Sequence, residues 1–100
     1  MKLTENQLRG KSVMSEEGLY LGIMRNTTVE SRTGKLVGIL VEPSDDIDPR
    51  LYHLDTQGNL VFPFESIKSV KDVIIIGAHW IFPFIFIIFL FNFTHFFILR

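Results

Sequence analysis

Few side chains of this 100-residue chain have the types and spacing that chemistry requires. The densest cluster is acidic: Glu42, Asp45, Asp46 and Asp48, in a stretch from Glu42 to Pro49 that also holds two prolines. A calcium loop needs alternating oxygen ligands, a central glycine and a bidentate glutamate at its twelfth position. Asp45-Asp46-Ile47-Asp48-Pro49 has neither that spacing nor that glycine, so it reads as a solvated loop. Its functional alternative is an acidic patch for a basic partner. His53 and Asp55 have the types of a catalytic pair, but no serine lies in the glycine pattern of a nucleophile elbow. His53 therefore reads as a structural or surface histidine. His79 and His95 are too far apart in sequence for a local metal site. With no cysteine there is no thiolate cluster, thiol nucleophile or disulfide framework. No glycine-rich loop prepares a phosphate site. These residues predict no catalytic, metal or cofactor site.

Tyr20, Tyr52, Phe62 and Phe64 have the aromatic character of a base-stacking platform, yet residues 1–76 carry 9 basic against 11 acidic side chains. Nucleic acid requires a basic field, and none exists here. These aromatics read as core. The composition also divides sharply along the chain. Residues 1–76 hold 30 of the 47 apolar residues and 20 of the 21 charges, whereas residues 77–100 hold 17 apolar residues and one charge, Arg100. The expected organisation is a domain over 1–76 followed by a hydrophobic C-terminal segment over 77–100. The N-terminus has no apolar run of the secretory kind, and the lack of cysteine favours a reducing compartment. The expected location is cytoplasmic.

The elements of the first part are short and extended. Ser12-Val13-Met14 is a brief strand, and Leu19 to Val29 a long one or two pieces joined at a bend, with Gly22 inside it, the mark of a bulge or a close backbone approach. Leu36 to Val41 is apolar at both parities, which predicts cover on both faces. Further strands are expected at Leu51–Leu54, Leu60–Phe62, Ile67–Val70 and Val73–Ile76, with one helical turn at Phe64-Glu65-Ser66. Gly10, Gly18, Gly34 and Gly58 fall at the turns between them. No stretch before residue 77 keeps a helical stripe over ten positions. Short strands at this spacing predict an all-β fold, a small antiparallel barrel of about six strands.

The sequence resembles the PRC-barrel family over Leu8 to Ile76. The likeness rests on Leu8-Arg9-Gly10-Lys11-Ser12-Val13, on Gly18 with Leu21-Gly22-Ile23-Met24, and on Thr33-Gly34-Lys35-Leu36-Val37-Gly38-Ile39-Leu40-Val41. It closes on Phe62-Pro63-Phe64-Glu65-Ser66-Ile67 and Val70-Lys71-Asp72-Val73-Ile74-Ile75. Thr27-Thr28 departs from it, since the family more often has aliphatics there. The resemblance implies a six-stranded barrel with a binding role and no catalytic motif. Short standalone archaeal members are the nearest in style. They imply a non-enzymatic adaptor in a membrane-associated assembly such as the cell-division apparatus. The alternative it implies is a ribosome-maturation factor that binds a ribosomal protein.

A domain this small gains stability by pairing, and its surplus of aliphatic strands predicts a protein partner, first a homodimer. The residues expected to supply that contact are Leu36, Val37, Ile39, Leu40, Val41, Val73, Ile74 and Ile75. Residues 80–99 contain fifteen Ile, Leu or Phe, and twenty helical residues match the thickness of a bilayer core. Three readings of this segment stay open: a C-terminal membrane anchor at the cytoplasmic face, an extension without selected function, and an element packed on the barrel.

Overall fold

In the computed structural model, residues 4–78 are described; of the expected tail at 77–100, residues 79–100 lie outside them. A single helical turn, α1 (Glu5–Leu8), opens the domain, with the Thr4 N–H donating to Gln7 Oε1 at 2.8 Å. Strands β1 (Ser12–Ser15), β2 (Tyr20–Val29) and β3 (Leu36–Pro43) follow. A 3-10 turn, η1 (Pro49–Leu51), then leads to β4 (Leu60–Pro63). A second 3-10 turn, η2 (Phe64–Ser66), precedes β5 (Ile67–Val70) and β6 (Val73–Ile76).

The six strands form one sheet in the order β4-β3-β2-β1-β6-β5. Its two ends, β4 and β5, are separated in sequence only by η2, and three residues span no more than about 13 Å between flanking Cα atoms. The sheet therefore curls back on itself into the expected small barrel. Four of its strand pairs are antiparallel, and β1 with β6 is parallel, Val13 facing Ile74. A parallel pair needs a crossover connection. Here the remainder of the barrel, from Ser15 to Val73, provides it.

Leu8 from α1 and Val13, Leu21, Met24, Ile39, Val41, Leu60, Ile74 and Ile76 from the strands have no exposed surface. Alternation places every second residue of β1 and β6 inward, and these side chains fill the barrel as a packed core. Burying one large aliphatic is worth about 1.5–3 kcal/mol. The two buried serines are satisfied: the Ser15 hydroxyl accepts the Leu19 N–H, and the Ser66 hydroxyl donates to the Pro63 carbonyl.

Two expectations change. Leu51–Leu54 is not a strand: Pro49 starts η1 under the Asp48 cap, and only the Leu54–Leu60 bridge remains of the pairing. The geometry of that segment is set by Asp55, whose carboxylate accepts the Gln57 and Asn59 N–H groups at 2.9 Å and closes a tight turn. α1 was not expected from the sequence, because four residues are too few to show a helical period. Gly10, Gly18, Gly34 and Gly58 all take positive φ, as expected of turns. Gly22 instead lies within β2 at φ 148°, where a Cβ would overlap the Glu42 carbonyl. The register of β1 against β2 slips beside it, so the anticipated close approach and bulge are both present.

Candidate interaction surface

Seven of the eight residues expected to meet a partner separate by strand parity, and Val37 is exposed although it shares the parity of Ile39 and Val41. Ile39, Val41 and Ile74 point inward, are fully buried and belong to the core. Leu36, Leu40, Val73 and Ile75 are half-buried, and Val37 is 41% exposed. The double apolar parity of β3 thus has two origins. One face fills the barrel, while the other lies toward the outside.

The outward residues belong to two different surfaces. Val73 faces Ser12 and then Ile23 across the ladder, and Ile75 faces Met14 and then Tyr20. All of these are half-buried, so they form a shallow stripe over β6, β1 and β2 that is apolar apart from Ser12. The second surface is a groove of about 450 Å³ at the other end of the sheet. Its shape begins with Gly38, which is flanked in the ladder by Thr28 on β2 and Pro63 on β4. With no side chain between those neighbours, the sheet has a recess at this point. A Cβ there would stand 2.7 Å from the Phe62 carbonyl oxygen and 3.0 Å from the Thr28 hydroxyl. Val37, Val61 and Pro63 add apolar walls.

The outer wall comes from Tyr52 and His53. The Val61 N–H donates to the His53 carbonyl at 2.9 Å, which lays this irregular segment along β4. The Tyr52 ring stands edge-on to Phe62, with centroids 6.4 Å apart. Burial of that ring raises the Tyr52 pKa above the ordinary tyrosine value. The groove therefore offers mainly hydrocarbon and aromatic surface, with Thr28 and His53 as polar points. This chemistry suits an apolar side chain of a partner rather than a charged or reacting group.

The large hydrophobics exposed among the described residues are Val29 at 55%, Val37 at 41% and Leu51 at 37%. Of these, Val37 lines the groove. Sequence reasoning missed Thr28, Tyr52, His53, Val61 and Pro63. The available signal was Gly38 amid aliphatics, together with a proline at the end of a short strand.

The remaining polar candidates are tied into local structure. Asp48 accepts from the Arg50 side chain and backbone, which holds its carboxyl below the usual carboxylate range. Glu42 pairs with Arg25 at 2.8 Å. Asp55 is held low by the backbone N–H groups of its own turn, and it serves that turn rather than His53. Between α1 and the β5–β6 turn lies a polar hollow, where Lys11 donates to the Lys71 carbonyl and Arg9 pairs with Glu5.

A barrel of this order, closed through η2, agrees with a comparison against known families. The PRC-barrel domain profile matches residues 4–80. The chain belongs to the PRC-barrel family. The match covers the whole described PRC-barrel domain, including α1 and the β5–β6 hairpin. No curated protein matches the chain. Among the described residues no helix is long and apolar enough to cross a membrane. The expected membrane segment at 80–99 lies outside those residues.

Proposed function

We propose that this PRC-barrel chain is a non-enzymatic protein-interaction module, a homodimeric adaptor that holds a partner protein. The observation that carries this reading is the apolar groove over Gly38, with the exposed Val37 in its lining. Apolar side chains exposed in a recess mark a surface where a partner docks. The polar side chains nearby stabilise turns and strand ends, as Asp48 and Asp55 do. The apolar segment 80–99 supports a place at the cytoplasmic face of a membrane. The family resemblance extends the reading to a membrane-associated assembly such as archaeal cell division.

The test is affinity capture of the full chain from its native cells, beside a Val61→Glu variant. Val61 is half-buried at the groove wall, and a carboxylate there opposes apolar docking. The expected result is recovery of division or membrane-scaffold proteins by the wild type and their loss from the variant. Recovery of ribosomal proteins instead would favour a ribosome-maturation role. Equal capture by both chains would remove the groove from the reading.

A further inference from the structure

We infer that the Gly38 groove seats this chain's own apolar C-terminal segment, and that a bilayer draws the segment out and frees the groove for a partner. This deepens the interaction reading, on which it rests, by naming what competes for the same site. The described chain ends close to the groove. The Gly77 N–H donates to the Ser66 carbonyl at 2.9 Å, and the Ser66 hydroxyl donates at 2.6 Å to the carbonyl of Pro63, a groove wall. The Ala78 N–H then donates to Glu16 Oε1 at 2.8 Å, which fixes the point of departure. Those bonds hold Ala78 within about 18 Å of Pro63. At about 3.3 Å for each extended residue, roughly six residues cover that distance.

The segment that arrives there has the chemistry of the groove. Residues 84–91 are an unbroken run of Phe, Ile and Leu, and no Asp, Glu, Lys or Arg stands between Gly77 and Leu99. The groove presents Val37, Val61, Pro63 and the Tyr52 ring, with no carboxylate, lysine or arginine in its lining. Covalent attachment sets the effective concentration of the segment at the groove to about millimolar, above that of a separate protein. The balance then turns on lipid. A recess of about 450 Å³ houses only a few of these side chains, whereas a bilayer core takes the whole of residues 80–99. The groove is filled in water and open at a membrane.

The chain has no cysteine, so no native thiol competes with an introduced pair. Full-length chains carrying Val61→Cys with Phe84→Cys, Phe86→Cys or Ile88→Cys are synthesised in a purified, lipid-free translation system and oxidised. A parallel set carries Met14→Cys, on the β6–β1–β2 stripe, in place of Val61→Cys. Protease resistance of the barrel shows that each variant is folded. The expected product is a disulfide within one chain, about tenfold more abundant with Val61→Cys than with Met14→Cys. Phosphatidylcholine vesicles present during synthesis should reduce it about tenfold. No such disulfide in a folded Val61→Cys chain, or a greater yield from Met14→Cys, removes the tail from the groove. A disulfide formed only between two chains overturns self-docking, and a yield unchanged by vesicles overturns release by a bilayer. No partner takes part in these measurements, so the interaction reading stands or falls separately, on the Val61→Glu comparison.

Discussion

Gly38 and Phe62 meet so closely across the β3–β4 ladder that a Cβ on Gly38 would stand 2.7 Å from the Phe62 carbonyl oxygen. The bare backbone serves two ends at once. It lets β4 pair with β3, and it leaves the recess in which Thr28, Val61 and Pro63 become walls. Gly38→Ala should therefore destabilise the domain by about 1–3 kcal/mol, the usual cost of forcing an atom into a packed site. Thermal unfolding followed by circular dichroism measures it. Stability equal to the wild type would show that the ladder yields without cost.

Gly22→Ala should cost more than Gly38→Ala. At Gly22 the added Cβ overlaps the Glu42 carbonyl, and the positive φ of 148° disfavours any L side chain besides. The two penalties together come to about 2–6 kcal/mol. The same unfolding measurement ranks the pair, and the opposite order would contradict the close approach of β2 and β3.

The aliphatic strands contain residues of two kinds, and truncation separates them. Ile39→Ala and Ile74→Ala each remove a fully buried side chain and should cost about 2–5 kcal/mol. Val37→Ala, at 41% exposure, should cost less than about 1 kcal/mol and act mainly on association. Denaturant unfolding checks the first effect and equilibrium sedimentation the second.

Asp55 makes stability depend on acid. Its carboxylate accepts backbone N–H groups of the 55–59 turn, so its folded pKa lies below the ordinary value. A depressed carboxyl pKa contributes stability that is complete above the unfolded value, near about 3.9, and is lost as pH falls through the lower folded value. Asp55→Asn keeps an acceptor but removes the titration. Unfolding midpoints of wild type and variant should therefore converge as pH falls below about 4. A constant difference between them would exclude this role for the carboxylate.

How far the fold was legible depends on the range of the interactions behind each element. β1, β2, β3, β4, β5 and β6 were readable because β-branched runs end at Gly10, Gly18, Gly34 and Gly58, and such signals are local. The strand expected at Leu51–Leu54 failed because the Asp48 cap and Pro49 favour a 3-10 turn immediately before it. The parallel pairing of Val13 with Ile74 has no local signature, since it is set by closure of the whole barrel. The groove was hidden for the same reason: Thr28, Tyr52 and Val61 converge only after three separate segments fold. The eight aliphatics expected at an interface were selected by hydrophobicity, which does not distinguish Ile39 inside from Leu40 outside until parity is fixed by the barrel.

The measurement that bears most directly on an interaction module is the solution mass of the full chain in mild detergent, by light scattering corrected for bound detergent across a concentration series. A protein mass of twice 11.6 kDa, reverting toward one chain on dilution, is the predicted result. A mass of 11.6 kDa that persists at high micromolar concentration would contradict it.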